Sequence, residues 1–124
     1  MLAVGIDISK SKSVAAILNQ DGSMHTSPFE FHHTQPELDA FIKYILNSNQ
    51  SATILMENTG HYHYPVLKAF REAGLPVCMV NAYQIKIFAR PKRTRKMQCG
   101  LPDMHWKRVI LWFHTHLWSR NTKI

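Results

Sequence analysis

Apolar residues fall in two rhythms along the first ninety residues of this chain. Leu2 to Ile8 and Ser13 to Leu18 are apolar runs of strand length, separated by the polar Ser9-Lys10-Ser11-Lys12. After Asp21-Gly22, a strong turn signal, Met24 to Phe31 reads as a third strand, so the chain opens as a meander. The rhythm then changes. Thr34-Gln35-Pro36-Glu37 has the sequence of a capping box, and Leu38, Phe41, Ile42, Ile45 and Leu46 follow at helical spacing, which predicts a helix ending near Asn47. Ala52 to Met56 is again a strand, Tyr62 to Ala73 a helix closed by Gly74, Val77 to Val80 a strand, and Ala82 to Ala89 a short helix before Pro91.

A meander followed by helix, strand, helix and strand implies an α/β fold with a mixed five-stranded sheet flanked by helices, its later strands entering through right-handed crossovers. Two acids stand out against this pattern. Asp7 interrupts the apolar run Val4-Gly5-Ile6-Asp7-Ile8, and Glu57 ends Thr53-Ile54-Leu55-Met56-Glu57. Desolvating a carboxylate costs several kcal/mol unless a cation or hydrogen-bond donors compensate. If the fourth strand lies parallel to the first, both acids reach its carboxyl edge at a switch in strand order, where open α/β sheets place ligands. Neighbouring carboxylates repel unless they share a proton or a cation, and Mg²⁺ favours oxygen ligands of this kind. The chemistry suggested is metal-assisted phosphoryl transfer.

Composition changes this picture mainly at the carboxyl end. A chain of 124 residues allows one domain with a modest core. The two cysteines, Cys78 and Cys99, have neither the number nor the spacing of a disulfide or zinc framework, so a reduced, cytoplasmic setting is expected. No secretory signal segment opens the sequence, and Val109 to Phe113, the longest apolar run of the tail, is far too short to span a bilayer. The formal charge of +7 is concentrated after residue 90, where eight Lys/Arg face the single acid Asp103. All three tryptophans, Trp106, Trp112 and Trp118, lie there too, and the break suggests two segments of different origin or role.

In order and spacing, three segments resemble the amino-terminal domain of bacterial DEDD transposases of the insertion sequence one-ten family. They are Val4-Gly5-Ile6-Asp7-Ile8-Ser9-Lys10, Met56-Glu57-Asn58-Thr59-Gly60-His61-Tyr62, and the run from Gly74 through Val80, Asn81, Ala82, Tyr83 and Gln84 to Arg90. The resemblance covers about residues 1 to 96, and it is specific as a set although each motif alone is weak. It implies a RuvC-like domain of the ribonuclease H-like fold whose four acids bind Mg²⁺. It further implies a separate carboxyl-terminal domain with a catalytic serine, and a full enzyme that works with a structured guide RNA of its element to recombine DNA.

Carried over residue by residue, Asp7 matches the family's first acid, Glu57 the second, and Lys10 the lysine after the first strand. The family expects Lys-Thr-Asp-x-x-Asp-Ala soon after the basic loop. This chain instead reads Arg95-Lys96-Met97-Gln98-Cys99-Gly100-Leu101-Pro102-Asp103, so the third and fourth acids are absent and Asp103 is solitary and displaced. Together with the early stop at Ile124, this suggests a frameshift near residue 96. The expected organisation is an incomplete RuvC-like domain over 1–96 and a basic, Trp-rich, poorly packed tail over 97–124. The chain is then an inactive remnant of a transposase, able to associate with itself or with intact transposase.

Several motifs also admit blander readings. Asp7 and Glu57 alone read equally well as a capping acid and a strand-end surface acid. His61-x-His63 has the look of a metal pair, but alternate residues at a helix entrance diverge, and surface and packing histidines fit better; Tyr62 and Tyr64 read as packing against the sheet. Lys92-Arg93-x-Arg95-Lys96 is ordinarily a solvated run, yet beside a nucleic-acid site it and Arg90 become phosphate contacts. In the tail, Trp106, Val109, Ile110, Phe113 and Leu117 fit one helical stripe while Leu111, Trp112 and Trp118 lie off it. A non-enzymatic nucleic-acid-binding or interfering fragment is the second functional class. A sugar-kinase-like nucleotide fold is a third, although its Gly-Thr phosphate turn is replaced by Ile8-Ser9-Lys10.

Overall fold

The computed structural model describes residues 1–57, 62–80 and 106–118. The meander is present: β1 (Leu2–Ile8), β2 (Lys12–Leu18) and β3 (Met24–His32) pair antiparallel in sequence. Its second turn is closed by chemistry local to the sequence. Asp21 accepts hydrogen bonds from the backbone N–H of Ser23 at 2.8 Å and from its hydroxyl at 2.6 Å, and Gly22 adopts φ +90°, which a side chain would resist.

Helix α1 (Gln35–Asn47) crosses to β4 (Ala52–Glu57), which lies parallel to β1. Helix α2 (Tyr64–Glu72) then leads to β5 (Val77–Val80), parallel to β4. The sheet order is β3-β2-β1-β4-β5, so β1 is central and all seven of its residues are buried. The fourth strand therefore lies beside the first, as the acids require.

Two local expectations are revised. The capping box at α1 does not close in the expected way: Thr34 makes no side-chain bond to a helical N–H but donates its hydroxyl to Glu37 at 3.2 Å, and Glu37 accepts the backbone N–H of His32 at 3.2 Å. Glu37 thus ties the end of β3 to the helix. Helix α2 is shorter than predicted, and Tyr62 and Tyr64 are about half exposed and do not pack on the sheet, because Val66 and Phe70 define its buried face. Gly74 ends it at φ +80°, with Gly74 N–H bonded to the Arg71 carbonyl and Leu75 N–H to that of Phe70.

Alternation along the strands divides the core in two. Leu2, Val4, Ile6 and Ile8 of β1 and Ala52, Ile54 and Met56 of β4 pack with α1 and α2. Ala3 and Leu55, on the opposite face, pack with Ala16, Leu18, Cys78 and Val80 against helix α3 (Trp106–His116) and the Leu117-Trp118 turn after it. Trp106, Val109, Ile110, Phe113 and Leu117 are all buried, as their stripe allows.

Trp118, off the stripe, is 1 % exposed because the helix ends at His116 and helical spacing no longer governs it. Its indole N–H donates to the Ile6 carbonyl at 3.3 Å. At the other end Arg108 reaches the Asp21 carbonyl at 3.3 Å. Between them the Phe113 ring lies so close over Gly5 that a Cβ there would overlap it. Cys78, buried on this face, is disulfide-bonded, which corrects the expectation of reduced thiols at that residue.

The short helix expected over 82–89 and the basic loop lie outside the described residues. Among the described residues no helix is long and apolar enough to cross a membrane.

Candidate metal and nucleic-acid site

Parallel pairing brings the two acids together. The register of β1 with β4 runs through Ile6 opposite Met56, so Asp7 and Glu57 each follow the same pair at the carboxyl edge. Strand alternation sets both on the α3 face of the sheet, with Ala3 and Gly5 on β1 and with Thr53 and Leu55 on β4. Both are buried, Asp7 7 % and Glu57 1 % exposed. Burial, and after it the charge of Asp7, pushes the Glu57 carboxyl up from its ordinary 4.5 to about 7. Its Oε2 is buried with no hydrogen-bond partner. A surface or capping role leaves none of these marks.

An orphaned carboxylate oxygen beside a second buried acid is a donor set suited to a hard divalent cation. It is also a partial one. Among the described residues no group of three or more His, Cys, Asp or Glu side chains could hold a metal ion. Asp7 and Glu57 thus fit as part of an oxygen-ligand site that the described residues alone do not complete.

Lys10 is exposed in the β1–β2 turn, at the same edge of the sheet and three residues beyond Asp7. That turn is tightened by Ser9, whose N–H and hydroxyl both donate to the Lys12 carbonyl, at 3.1 and 2.7 Å. Arg90, Lys92, Arg93, Arg95, Lys96 and His61 lie outside the described residues. His63 caps α2 with its ring against Tyr64, centroids 4.4 Å apart, and its Nδ1 is buried without a partner.

Sequence reasoning did not find Thr53, whose buried hydroxyl also lacks a partner and which shares the acids' face of β4; a threonine in a strand gives no distinguishing signal. Nor did it find the cavity of about 400 Å³ between β3 and α1, lined by Phe29, Phe31, Phe41 and Tyr44, which involves neither acid.

A mixed sheet of this order, carrying two buried acids at the carboxyl ends of adjacent parallel strands, defines a RuvC-like domain of the ribonuclease H-like class. Two solved structures share the fold. Thermus thermophilus RuvC aligns at TM-score 0.54 and 15 % identity, and T. thermophilus RuvC in complex with a Holliday junction substrate at TM-score 0.53 and 13 % identity; each alignment covers 94 % of this chain and 96 % of that one. At these identities the likeness establishes fold alone. A ROK hexokinase from Thermus thermophilus aligns at TM-score 0.43 and 15 % identity over 72 % of this chain and 38 % of its own, too remote to bear on fold or activity. No curated protein sequence matches.

The family itself is fixed by sequence. The model of the DEDD transposases of the insertion sequence one-ten group, described as Transposase, matches residues 4–97. The chain belongs to that transposase family.

Proposed function

We propose that this chain is the amino-terminal catalytic part of a DEDD-type DNA transposase, and that its 124 residues alone neither cleave nor join DNA. The observation that carries the reading is the pairing of Asp7 and Glu57 in register on one face, both buried, with Glu57 raised to about 7. RuvC-like DEDD nucleases generally depend on a divalent metal. When bound, Mg²⁺ would polarise a phosphoryl oxygen and stabilise the charge of the leaving oxygen. Asp7 and Glu57 would hold it through carboxylate oxygens, and Lys10 at the same edge would meet a backbone phosphate.

Inactivity follows from what is missing from the donor set. Two carboxylates cannot fix the ions that four would, and no Asp-x-x-Asp follows the basic loop. DNA is the partner supported by the family and by the junction-bound neighbour. Arg90, Lys92, Arg93, Arg95 and Lys96 supply the excess charge for phosphate contacts with DNA or with a structured guide RNA. Association with intact transposase would then let the fragment interfere.

The experiment is a Mg²⁺-dependent cleavage and strand-joining assay on the purified chain, alongside a version in which the reading frame is restored near codon 96. The chain as it stands should be inert, and the restored protein, given its element and RNA, should recombine DNA and lose that activity in Asp7→Asn. Cleavage by the 124-residue chain, or an alternative frame with no Asp-x-x-Asp, would refute the remnant reading.

The second reading, a non-enzymatic nucleic-acid-binding fragment, is favoured by the confinement of the +7 charge to the last part of the chain. Its mark is salt-dependent binding unaffected by Asp7→Asn.

A further inference from the structure

We infer that the outer face of α3 is a stacking surface for the unpaired bases of single-stranded nucleic acid, centred on Trp112 and His116. The inference rests on the nucleic-acid reading above and involves neither acid. It starts from helical spacing. Trp106, Val109, Ile110 and Phe113 are buried in the core, so Arg108, Leu111, Trp112, Thr115 and His116 share the other face of the helix. Arg108, Thr115 and His116 are exposed there, Leu111 is 41 % exposed, and Trp112 is half-buried.

Two of these side chains already form a stack. The His116 ring lies against that of Trp112 with centroids 4.7 Å apart and planes 16° from parallel. Its Nδ1 donates to the Trp112 carbonyl at 3.1 Å, which orients the imidazole, and Trp112 meets the buried Phe113 edge-on at 5.6 Å. The pair is therefore positioned before a ligand arrives. A base added to it gains aromatic contact while little side-chain freedom is lost.

Charge selects the occupant. The 11 residues of α3 include Lys107 and Arg108 and neither Asp nor Glu, and the stretch after residue 90 sets eight Lys/Arg against Asp103 alone. A surface that is both aromatic and basic fits a polyanion with open ring faces. Single-stranded nucleic acid offers those faces, whereas a duplex keeps its bases stacked on one another. Asp21 lies at the amino end of the helix, where Arg108 bonds its carbonyl. The carboxyl half, around Trp112 and His116, is therefore the better place for an anion.

The test offers the full chain three probes: oligothymidylate, the same strand paired with oligoadenylate, and phosphatidylglycerol vesicles. Affinity is read from the anisotropy of a labelled strand or from co-sedimentation with vesicles, and stacking from quenching of tryptophan emission. Trp106 and Trp118 are 9 % and 1 % exposed, so Trp112 is the ring that a stacked base quenches. The single strand should quench and should bind at least about fivefold tighter than the duplex, the reverse of what charge density alone gives. His116→Ala and Trp112→Leu should each lose about fivefold or more in single-strand affinity, and with it the preference. His116→Phe, which keeps a ring in the stack, should retain both. His116 is exposed, so its two variants keep the test decisive if Trp112→Leu fails to fold.

Salt-dependent binding that is equal for single strand and duplex, and indifferent to Trp112 and His116, would overturn the stacking surface and leave the nucleic-acid reading standing. No binding to either nucleic acid would overturn both. Loss of vesicle binding or of self-association in these variants, with single-strand affinity unchanged, would assign the face to a membrane surface or to a second copy of the chain instead.

Discussion

The two faces of one sheet differ in the charge they bury. The face under α1 and α2 is lined by aliphatic and aromatic side chains from Leu2 to Phe70; its Ser13 is bonded to His33 Nε2 at 2.7 Å, while the Thr26 hydroxyl of β3 is buried there with no partner. The face under α3 holds Asp7, Thr53 and Glu57, and two of these, Thr53 Oγ1 and Glu57 Oε2, have polar atoms with no partner. The same strands supply both faces, so the difference lies in which residues alternate onto each. One face carries the apolar core under α1 and α2, and the other buries two carboxylates at a cost in stability that, on the proposed metal-site reading, a bound cation would offset.

The largest effects should distinguish the two helical layers. Phe70→Ala removes a fully buried ring from the first face and should cost about 3–5 kcal/mol of global stability in urea unfolding. Phe113→Ala removes an equally buried ring from the second. If α3 unfolds separately from the sheet, Phe113→Ala should lower the global transition by no more than about 3 kcal/mol while α3 loses its exchange protection. Equal losses with one cooperative transition would show that both layers unfold with the sheet as one unit.

The next effect is electrostatic and belongs to the second face alone. Folding raises the Glu57 carboxyl from its ordinary 4.5 to about 7, so the folded chain holds this proton to a higher pH than the unfolded chain. The associated stability is fully present below the unfolded value and is lost as pH rises through 7, at most about 3 kcal/mol. Stability measured from pH 4.5 to 8 should therefore fall, and Glu57→Gln should flatten that part of the profile. A Glu57→Gln profile parallel to the parent would mean that Glu57 is not the group responsible.

Asp7→Asn sharpens the same point with a smaller change. The charge of Asp7 is the second cause of the Glu57 shift, after burial. Its removal should lower the apparent Glu57 value and raise stability at pH 8 by on the order of 1 kcal/mol. Carboxyl resonances followed by NMR titration would report it directly, and an unmoved Glu57 would place the acids too far apart to share an ion.

How far this molecule can be read without its structure depends on which rule each segment obeys. The strand order follows from the meander, two crossovers and right-handed connection, and the acid pair from two carboxylates placed where apolar runs meet a sheet edge. Those inferences use alternation, which is local. The second face was harder to see, because its cover comes from a segment whose composition breaks with the rest. A signal was nonetheless present: the second alternation of β1, Ala3 and Gly5, stays small and apolar up to Asp7, as in a strand covered on two sides, so β1 called for a partner beyond α1 and α2. Trp118 was misjudged because helical spacing was extended past the end of the helix, and Tyr64 because an aromatic residue beside a helix start was counted toward the core. Thr53 and the closure of α1 by Glu37 onto His32 depend on three-dimensional neighbours that spacing does not encode.

The smallest expected effect tests whether the second face is deficient in polar partners beyond its acids. Thr53 is 1 % exposed and its hydroxyl has no partner, flanked on β4 by residues that pack on the other side. An unpaired buried hydroxyl keeps its desolvation cost, whereas an apolar group of the same shape removes it. Thr53→Val preserves the branched outline and the strand preference, so it should stabilise the fold by up to about 1 kcal/mol in urea unfolding, without altering the pH profile set by Glu57. The equivalent change on the first face, Ser13→Ala, breaks the bond to His33 and should destabilise by a similar amount. Opposite signs at the two positions would show that Thr53 and Ser13 differ as their hydrogen bonding does. Loss of stability at both would mean that Thr53 has a partner in solution, and that the acids alone set the second face apart.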